Sequence, residues 1–369
     1  YKRNVLTMKS VRNIFAAVAL AVPLAAGLGA CHSIEEWDND YYGNFDALWT
    51  VVDEHYCFFE QKDVDWQAVG QQYRAQIKPD MKAGEFFDLC SDMLAELRDG
   101  HVNLMSWFDV SYYRKWWSDY PQNFDWRVIQ EYYLDFDYAS GGGFAYKLLA
   151  DGKAGYCRYS TFSAPVSDAF VDNMMLSMRD ANGLILDLRD NGGGDLTNVE
   201  RLVSHFITER TLGGYICHKT GPGHNDFSEP YPIFYDPAEG VRWLKPVIVL
   251  TNRSTFSAAN NCVQALRQLP QVVIVGDTTG GGSGTPFSSD MPCGWAVRFS
   301  ACPLYDAEMN LTEGGIEPDV HIDNDPELVA KGIDTILLTS IAALMKLDEE
   351  NEPEAVKKCL MREASRHEP

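Results

Sequence analysis

Gly183-Leu184-Ile185-Leu186-Asp187-Leu188-Arg189-Asp190-Asn191-Gly192-Gly193-Gly194 joins an apolar run of strand length to a loop of charge, amide and glycine. Residues 184–188 are too few for a helix and too uniformly apolar for a half-exposed strand, so they read as a strand covered on both faces. Two further runs have the same character, 246–250 and 272–275. Each also leads into a loop suited to chemistry: Thr251-Asn252-Arg253-Ser254-Thr255-Phe256-Ser257 after the first, and Gly276-Asp277-Thr278-Thr279-Gly280-Gly281-Gly282-Ser283-Gly284 after the second. Helical patterns follow the strands at 196–207 and 257–266. This alternation predicts an α/β fold with a parallel sheet and right-handed crossovers. Sites in such sheets form beyond the carboxyl ends of the strands, where the three loops should converge.

The glycine loops lack the Gly-Lys-Ser/Thr ending of a phosphate cradle, and neither is G-x-G-x-x-G. They offer backbone N–H groups at close range, which suits an oxyanion hole as well as it suits a plain turn. Ser257 stands between a buried strand and a helix that opens Ala258-Ala259. That position suits an N-cap, and it is also where hydrolases expose a nucleophile. Ser160-Thr161-Phe162-Ser163-Ala164 repeats the same kind of pentapeptide, but Pro165 follows and no helix starts there, so Ser163 ranks below Ser257.

Upstream, Phe45, Leu48, Trp49, Val52 and Tyr56 recur at helical spacing, as do Phe86, Cys90, Met93, Leu94 and Leu97, with Gly100 placed as a C-cap. Asp65-Trp66 opens a third helix, to about residue 77. Residues 43–105 therefore read as an N-terminal helical domain, 106–145 as an aromatic-rich connecting segment, 146–345 as the α/β core and 346–369 as a charged helix or tail. Asp151-Gly152 marks a hairpin between 146–149 and 156–159.

The chain has 369 residues with 53 acids against 31 bases, a formal net charge of -22 that argues against a nucleic-acid partner. Residues 1–30 hold four of the bases and no acid, so the remainder carries -26. Met8-Lys9-Ser10-Val11-Arg12 is a short basic start, followed by an apolar run over 14–27 and then Leu28-Gly29-Ala30-Cys31. The run is too short to span a bilayer and has the layout of a secretory signal, with Met8 as its start. Leu-Gly-Ala-Cys resembles a bacterial lipobox, which implies lipid on Cys31 and an exported, outer-membrane lipoprotein with a periplasmic or cell-surface face. The acidic tether 31–42 resembles the surface-export signal of Bacteroidetes lipoproteins. The other eight cysteines are scattered with no C-x-x-C, which argues against a zinc cluster.

Four segments together resemble one family. Asp187-Leu188-Arg189-Asp190-Asn191-Gly192-Gly193-Gly194 resembles the Asp-Leu-Arg-x-Asn-x-Gly-Gly segment of C-terminal-processing (tail-specific) serine peptidases. Ser257-Ala258-Ala259-Asn260 resembles their nucleophile segment, Ser-Ala-Ser-Glu. Gly276-Asp277-Thr278 and Gly315-Ile316-Glu317-Pro318-Asp319 match two more signatures in the right order. The resemblance implies a ClpP/crotonase-like core and a serine peptidase that needs no metal or organic cofactor. Two departures matter: Gly282 stands where the tail-specific branch has its catalytic Lys, and residues 102–180 leave no room for a PDZ insertion. Both point to the tricorn-core branch, which also resembles interphotoreceptor retinoid-binding protein repeats and uses a His base.

Leu97-Arg98-Asp99-Gly100-His101-Val102 resembles that branch's Asp-Gly-His motif. The resemblance thus implies Ser257 as nucleophile, His101 as base, Gly193 and Ala258 as oxyanion donors, and Glu313 as the carboxylate that orients His101, with Asp99 and Glu317 as alternatives. The implied partners are a peptide or protein substrate and a membrane reached through the Cys31 lipid. A non-catalytic lipoprotein on the same fold, binding peptide or an apolar ligand, is the alternative.

Overall fold

A computed structural model describes residues 37–347 and 357–361 of the chain. The signal 1–30, Cys31, the tether as far as Glu36 and most of the tail 346–369 lie outside those residues. The front is helical: α1 Tyr41–His55, α2 Phe59–Lys62, α3 Trp66–Arg74 and α4 Ala83–Ala95 lead to the short strand β1 Asn103–Met105. Then come α5 Lys115–Ser118, α6 Trp126–Tyr132, β2 Ala139–Gly141, β3 Phe144–Leu149 and β4 Ala154–Tyr159. The core continues with α7 Asp168–Ser177, β5 Gly183–Asp187, α8 Leu196–Ser204, β6 Thr211–Ile216, β7 Tyr231–Tyr235, β8 Val247–Thr251 and α9 Ala258–Leu266. It ends with β9 Val272–Gly276, β10 Gly284–Asp290, β11 Ala296–Tyr305, β12 Val320–His321, α10 Pro326–Val329 and α11 Thr335–Met345.

Seven strands form the main sheet in the order β12-β9-β8-β5-β4-β3-β2, parallel from β12 through β4 and antiparallel at the β4-β3-β2 edge. Alternate residues of the three apolar strands face opposite cores. Leu184, Leu186, Val247, Val249, Val272 and Ile274 pack with α7, α8 and α9. Ile185, Ile248, Leu250, Val273 and Val275 pack with α11 and Ile129 of α6. This two-sided burial explains why the strands carry no polar alternation.

Two expectations change. The front is not a helical domain with a core of its own, because Phe45, Leu48, Phe86 and Met93 share one buried cluster with Met291, Trp295, Val297 and Phe299 around β10 and β11. The expected boundary at 145/146 falls inside β3, since β2 pairs with β3 and joins the main sheet. The second sheet, β1-β11-β6-β7 with β10 on β11, is antiparallel and carries this shared core.

Candidate active site

The loop after β8 brings Ser257 to the N-terminus of α9 with φ 58° and ψ -123°. That is left-handed backbone, which a residue with a Cβ adopts only when its surroundings hold it there. Here the holding bonds are Ser257 N–H to Gly281 O at 2.8 Å, Phe256 N–H to Asn191 O at 3.0 Å and Thr255 Oγ1 to Leu188 O at 2.9 Å. All three converging loops thus fix one serine. Its side chain caps nothing in α9. Instead Oγ lies 2.9 Å from His101 Nε2, so the N-cap reading of Ser257 is excluded. The Ser160–Ala164 segment serves as a strap for the glycine loop: Phe162 N–H reaches Gly193 O at 2.9 Å, and Asp195 N–H reaches Phe162 O at 3.1 Å.

His101 arrives on the turn after α4. The expected glycine C-cap is displaced there: α4 closes on Glu96 in right-handed backbone, and the left-handed residue is Arg98, φ 50°. Gly100 is required for packing, because a Cβ would stand 2.6 Å from Trp116 Nε1 and 2.9 Å from Phe256 Cζ. Arg98 Nη2 and Lys62 Nζ each donate to the other's backbone carbonyl, clamping the turn to α2. Asp99 is buried; its Oδ1 accepts the His101 backbone N–H at 2.7 Å and its Oδ2 accepts the Tyr56 hydroxyl at 3.1 Å.

His101 is 3% exposed, and its ring packs on Phe256 with centroids 4.7 Å apart. Burial pushes the imidazole down to about 4, with Arg298 and Lys62 acting the same way and Asp99 opposing. Neutral His101 can accept a proton at Nε2 only in the tautomer with hydrogen on Nδ1. Nδ1 has no hydrogen-bond partner among the described residues.

Glu313 makes no hydrogen bond to the imidazole among the described residues, contrary to expectation. Its Oε1 accepts from Lys62 Nζ at 2.9 Å and its Oε2 from the Ser283 backbone N–H at 2.9 Å. It ties the helical front to the glycine loop rather than orienting His101. Burial and the nearby Asp99 charge push its carboxyl up, against the pull of Lys62. Glu317 is exposed. Of the three carboxylates, Asp99 alone bonds to His101, through the backbone. Tyr56 and Lys62 carry no local sequence signal for this role, because their partners lie 43 and 251 residues away.

The two expected oxyanion donors also differ. Ala258 N–H, first in α9, has no acceptor among the described residues and carries the positive end of the helix. Gly193 N–H is already given to Asn191 Oδ1 at 2.9 Å, in a turn closed by the asparagine's own side chain. Gly193 acts by its size instead. At φ 92°, a Cβ there would stand 2.7 Å from Phe256 O, 2.8 Å from Ala258 N and 2.8 Å from Ser257 Cβ. Gly193→Ala should therefore push the serine turn aside and lower the rate of Ser257 modification by roughly 100-fold or more, the scale of an ångström-level misplacement. Gly192→Ala, with open space around it, should change that rate less than about twofold. Equal rates in the two variants would refute the steric role. Among the described residues no three or more His, Cys, Asp or Glu side chains gather closely enough to hold a metal ion.

The chain is similar to known peptidases. Residues 153–322 match the family model Peptidase family S41, and residues 38–95 match the Tricorn protease C1 domain. A candidate peptidase from Parabacteroides merdae, known from its crystal structure, is 47% identical; the match covers 85% of this chain and 99% of that one, with a TM-score of 0.81. The carboxy-terminal processing protease CtpB of Bacillus subtilis is 27% identical over 188 residues, 50% of this chain and 37% of its own length. This chain therefore spans well under half the length of that relative. Mature CPAF, at 11% identity over 89% of this chain and 98% of its own, shares the fold with a TM-score of 0.67.

Proposed function

Because the chain belongs to peptidase family S41, we propose that it is a serine endopeptidase that hydrolyses exported proteins or peptides, with Ser257 as nucleophile and His101 as its base. The observation that carries this reading is the 2.9 Å contact between a serine in left-handed backbone and a buried imidazole. A neutral hydroxyl is a poor nucleophile, so His101 Nε2 takes the Oγ proton as Oγ bonds to the peptide carbonyl carbon. The Ala258 N–H and the N-terminus of α9 stabilise the oxyanion. The protonated His101 then gives its proton to the leaving amine, and water repeats the sequence on the acyl-enzyme. Asp99 positions His101 through its backbone. Glu313 and Lys62 hold the front that delivers the base against the loop that receives it. The export-signal pattern of residues 1–30 and the lipobox-like Cys31 support a membrane-tethered enzyme acting outside the cytoplasm.

A serine-reactive fluorophosphonate tests the assignment. Wild type should label and Ser257→Ala should not; absent labelling of folded wild type, or equal labelling of both, would leave a binding protein on a peptidase fold.

The pH dependence follows from burial. The base must be neutral to accept a proton, and a depressed imidazole stays neutral to lower pH. The acid limb of kcat/KM should therefore fall near pH 4 rather than near the ordinary 6.5. Glu313→Gln should leave that limb in place. A limb well above pH 5 that moves on this substitution would transfer the controlling ionisation to Glu313.

A further inference from the structure

Beside the dyad lies a cavity of about 290 Å³ that neither Ser257 nor His101 lines. Phe256 and Gly100, the residues immediately before them, do line it. In a chain of net charge -22, the cavity gathers Lys62, Arg98, Lys115 and Arg253 against the carboxylates of Asp119 and Glu313. Lys62 is paired with Glu313 at 2.9 Å. Arg98, Lys115 and Arg253 have no carboxylate partner among the described residues.

Arg253 is held rigidly. Its Nε donates to Trp116 O at 3.1 Å, its Nη1 donates to Thr279 O at 3.0 Å, and its Cζ lies over the Tyr120 ring, 4.2 Å from the centroid. Nη2 remains as a fixed cationic donor. Trp116 forms an aromatic wall, stacked on Phe256 with centroids 4.2 Å apart, and Phe256 in turn touches the His101 ring. Arg98 and Lys115 are exposed at the rim, so the cavity opens to the surface.

We infer that this cavity is a subsite for an acidic side chain of the peptide substrate, its carboxylate held by Arg253 and the rim cations and its methylenes laid on Trp116. The inference deepens the peptidase reading and rests on it. A fixed guanidinium donor matches a carboxylate, the cavity is too large for a bare inorganic anion, and its aromatic wall would suit the aliphatic stem. A chain-terminal carboxylate has the same chemistry, and capped peptides separate the two sources.

Peptides acetylated and amidated at their ends, with Glu or Gln placed at each position around the cleaved bond, test it. At one position Glu should raise kcat/KM about tenfold over Gln, and the ratio should shrink as salt rises. Lys115→Glu should abolish that preference, lowering kcat/KM for Glu peptides about tenfold more than for Gln peptides. An active enzyme with no Glu preference at any position, or a preference that Lys115→Glu and Arg98→Gln leave unmoved, overturns the subsite. So does a requirement for a free chain end alone. Should no peptide be cleaved and Ser257 fail to label, the peptidase reading falls. Binding of the same capped peptides, read by tryptophan fluorescence, then decides the subsite separately: tighter binding of Glu than Gln peptides, weakened by Lys115→Glu, supports it, and equal binding overturns it.

Discussion

Alanine at Ser257, at His101 or at both should lower peptide hydrolysis by nearly the same factor, about 10⁴- to 10⁶-fold in kcat/KM. The equality carries more information than the size. Nucleophile and base act as a unit, so removing the second member after the first removes little more. The geometry gives each residue one partner for the reaction: Oγ meets Nε2 at 2.9 Å, and the Ser257 side chain has no capping bond to fall back on. Residual activity in all three variants should come from Ala258 N–H and the α9 terminus, which stay in place. If His101→Ala loses less than about tenfold while Ser257→Ala loses the full factor, the imidazole is not the base. Strictly multiplying losses would mean that the residues act in separate steps. Fluorophosphonate labelling adds a direct reading: His101→Ala should still carry the hydroxyl but modify it far more slowly.

The parallel core and its three loops were legible in the sequence because their signals are local. Residues 184–188, 246–250 and 272–275 are apolar through burial on both faces, and each strand end announces a loop. The strand–helix turn at Ser257 was legible as a place, but its left-handed backbone was not. Leu188, Asn191 and Gly281, whose carbonyls hold it, come from two other loops. Glu313 stands out by its place before Gly315, whereas its partner Lys62 lies at the end of a four-residue helix with no periodicity of its own. The family resemblance implies Gly193 as a donor through its backbone amide. The neighbouring Asn191 side chain occupies that amide, and the glycine is needed for the space that a Cβ would fill. The helical front was read as self-contained because helix spacing shows that a face is apolar and not what covers it.

The Asp187-Leu188-Arg189 segment yields the largest expected stability effect. It joins the end of β5 to the active-site glycine loop, yet Asp187 and Arg189 are fully buried and hydrogen-bond away from Ser257 and His101. Arg189 Nη2 meets Asp187 Oδ2 at 2.6 Å, and Nη1 meets Asp334 Oδ2 at 2.8 Å and Asn123 O at 3.1 Å. Tyr156 donates to Asp187 Oδ2 at 3.0 Å, and Asp334 caps α11 through the Leu337 N–H at 2.8 Å. One guanidinium thus ties the end of β5 to the helix behind the sheet, 145 residues on. Arg189→Met would keep much of the volume and leave two carboxylates buried without their cation. Breaking such a pair costs about 3–5 kcal/mol, so thermal unfolding should begin about 4–7 °C lower. Adding Asp334→Leu should restore part of that loss, because one of the two stranded charges is removed, though α11 then lacks its cap. The Arg189→Met protein should also label more slowly at Ser257, since Asp190, Asn191 and Gly193 follow directly from the freed residue. A shift below about 1 kcal/mol by denaturant titration would show that water reaches these carboxylates, and the segment's role would then lie in the loop alone.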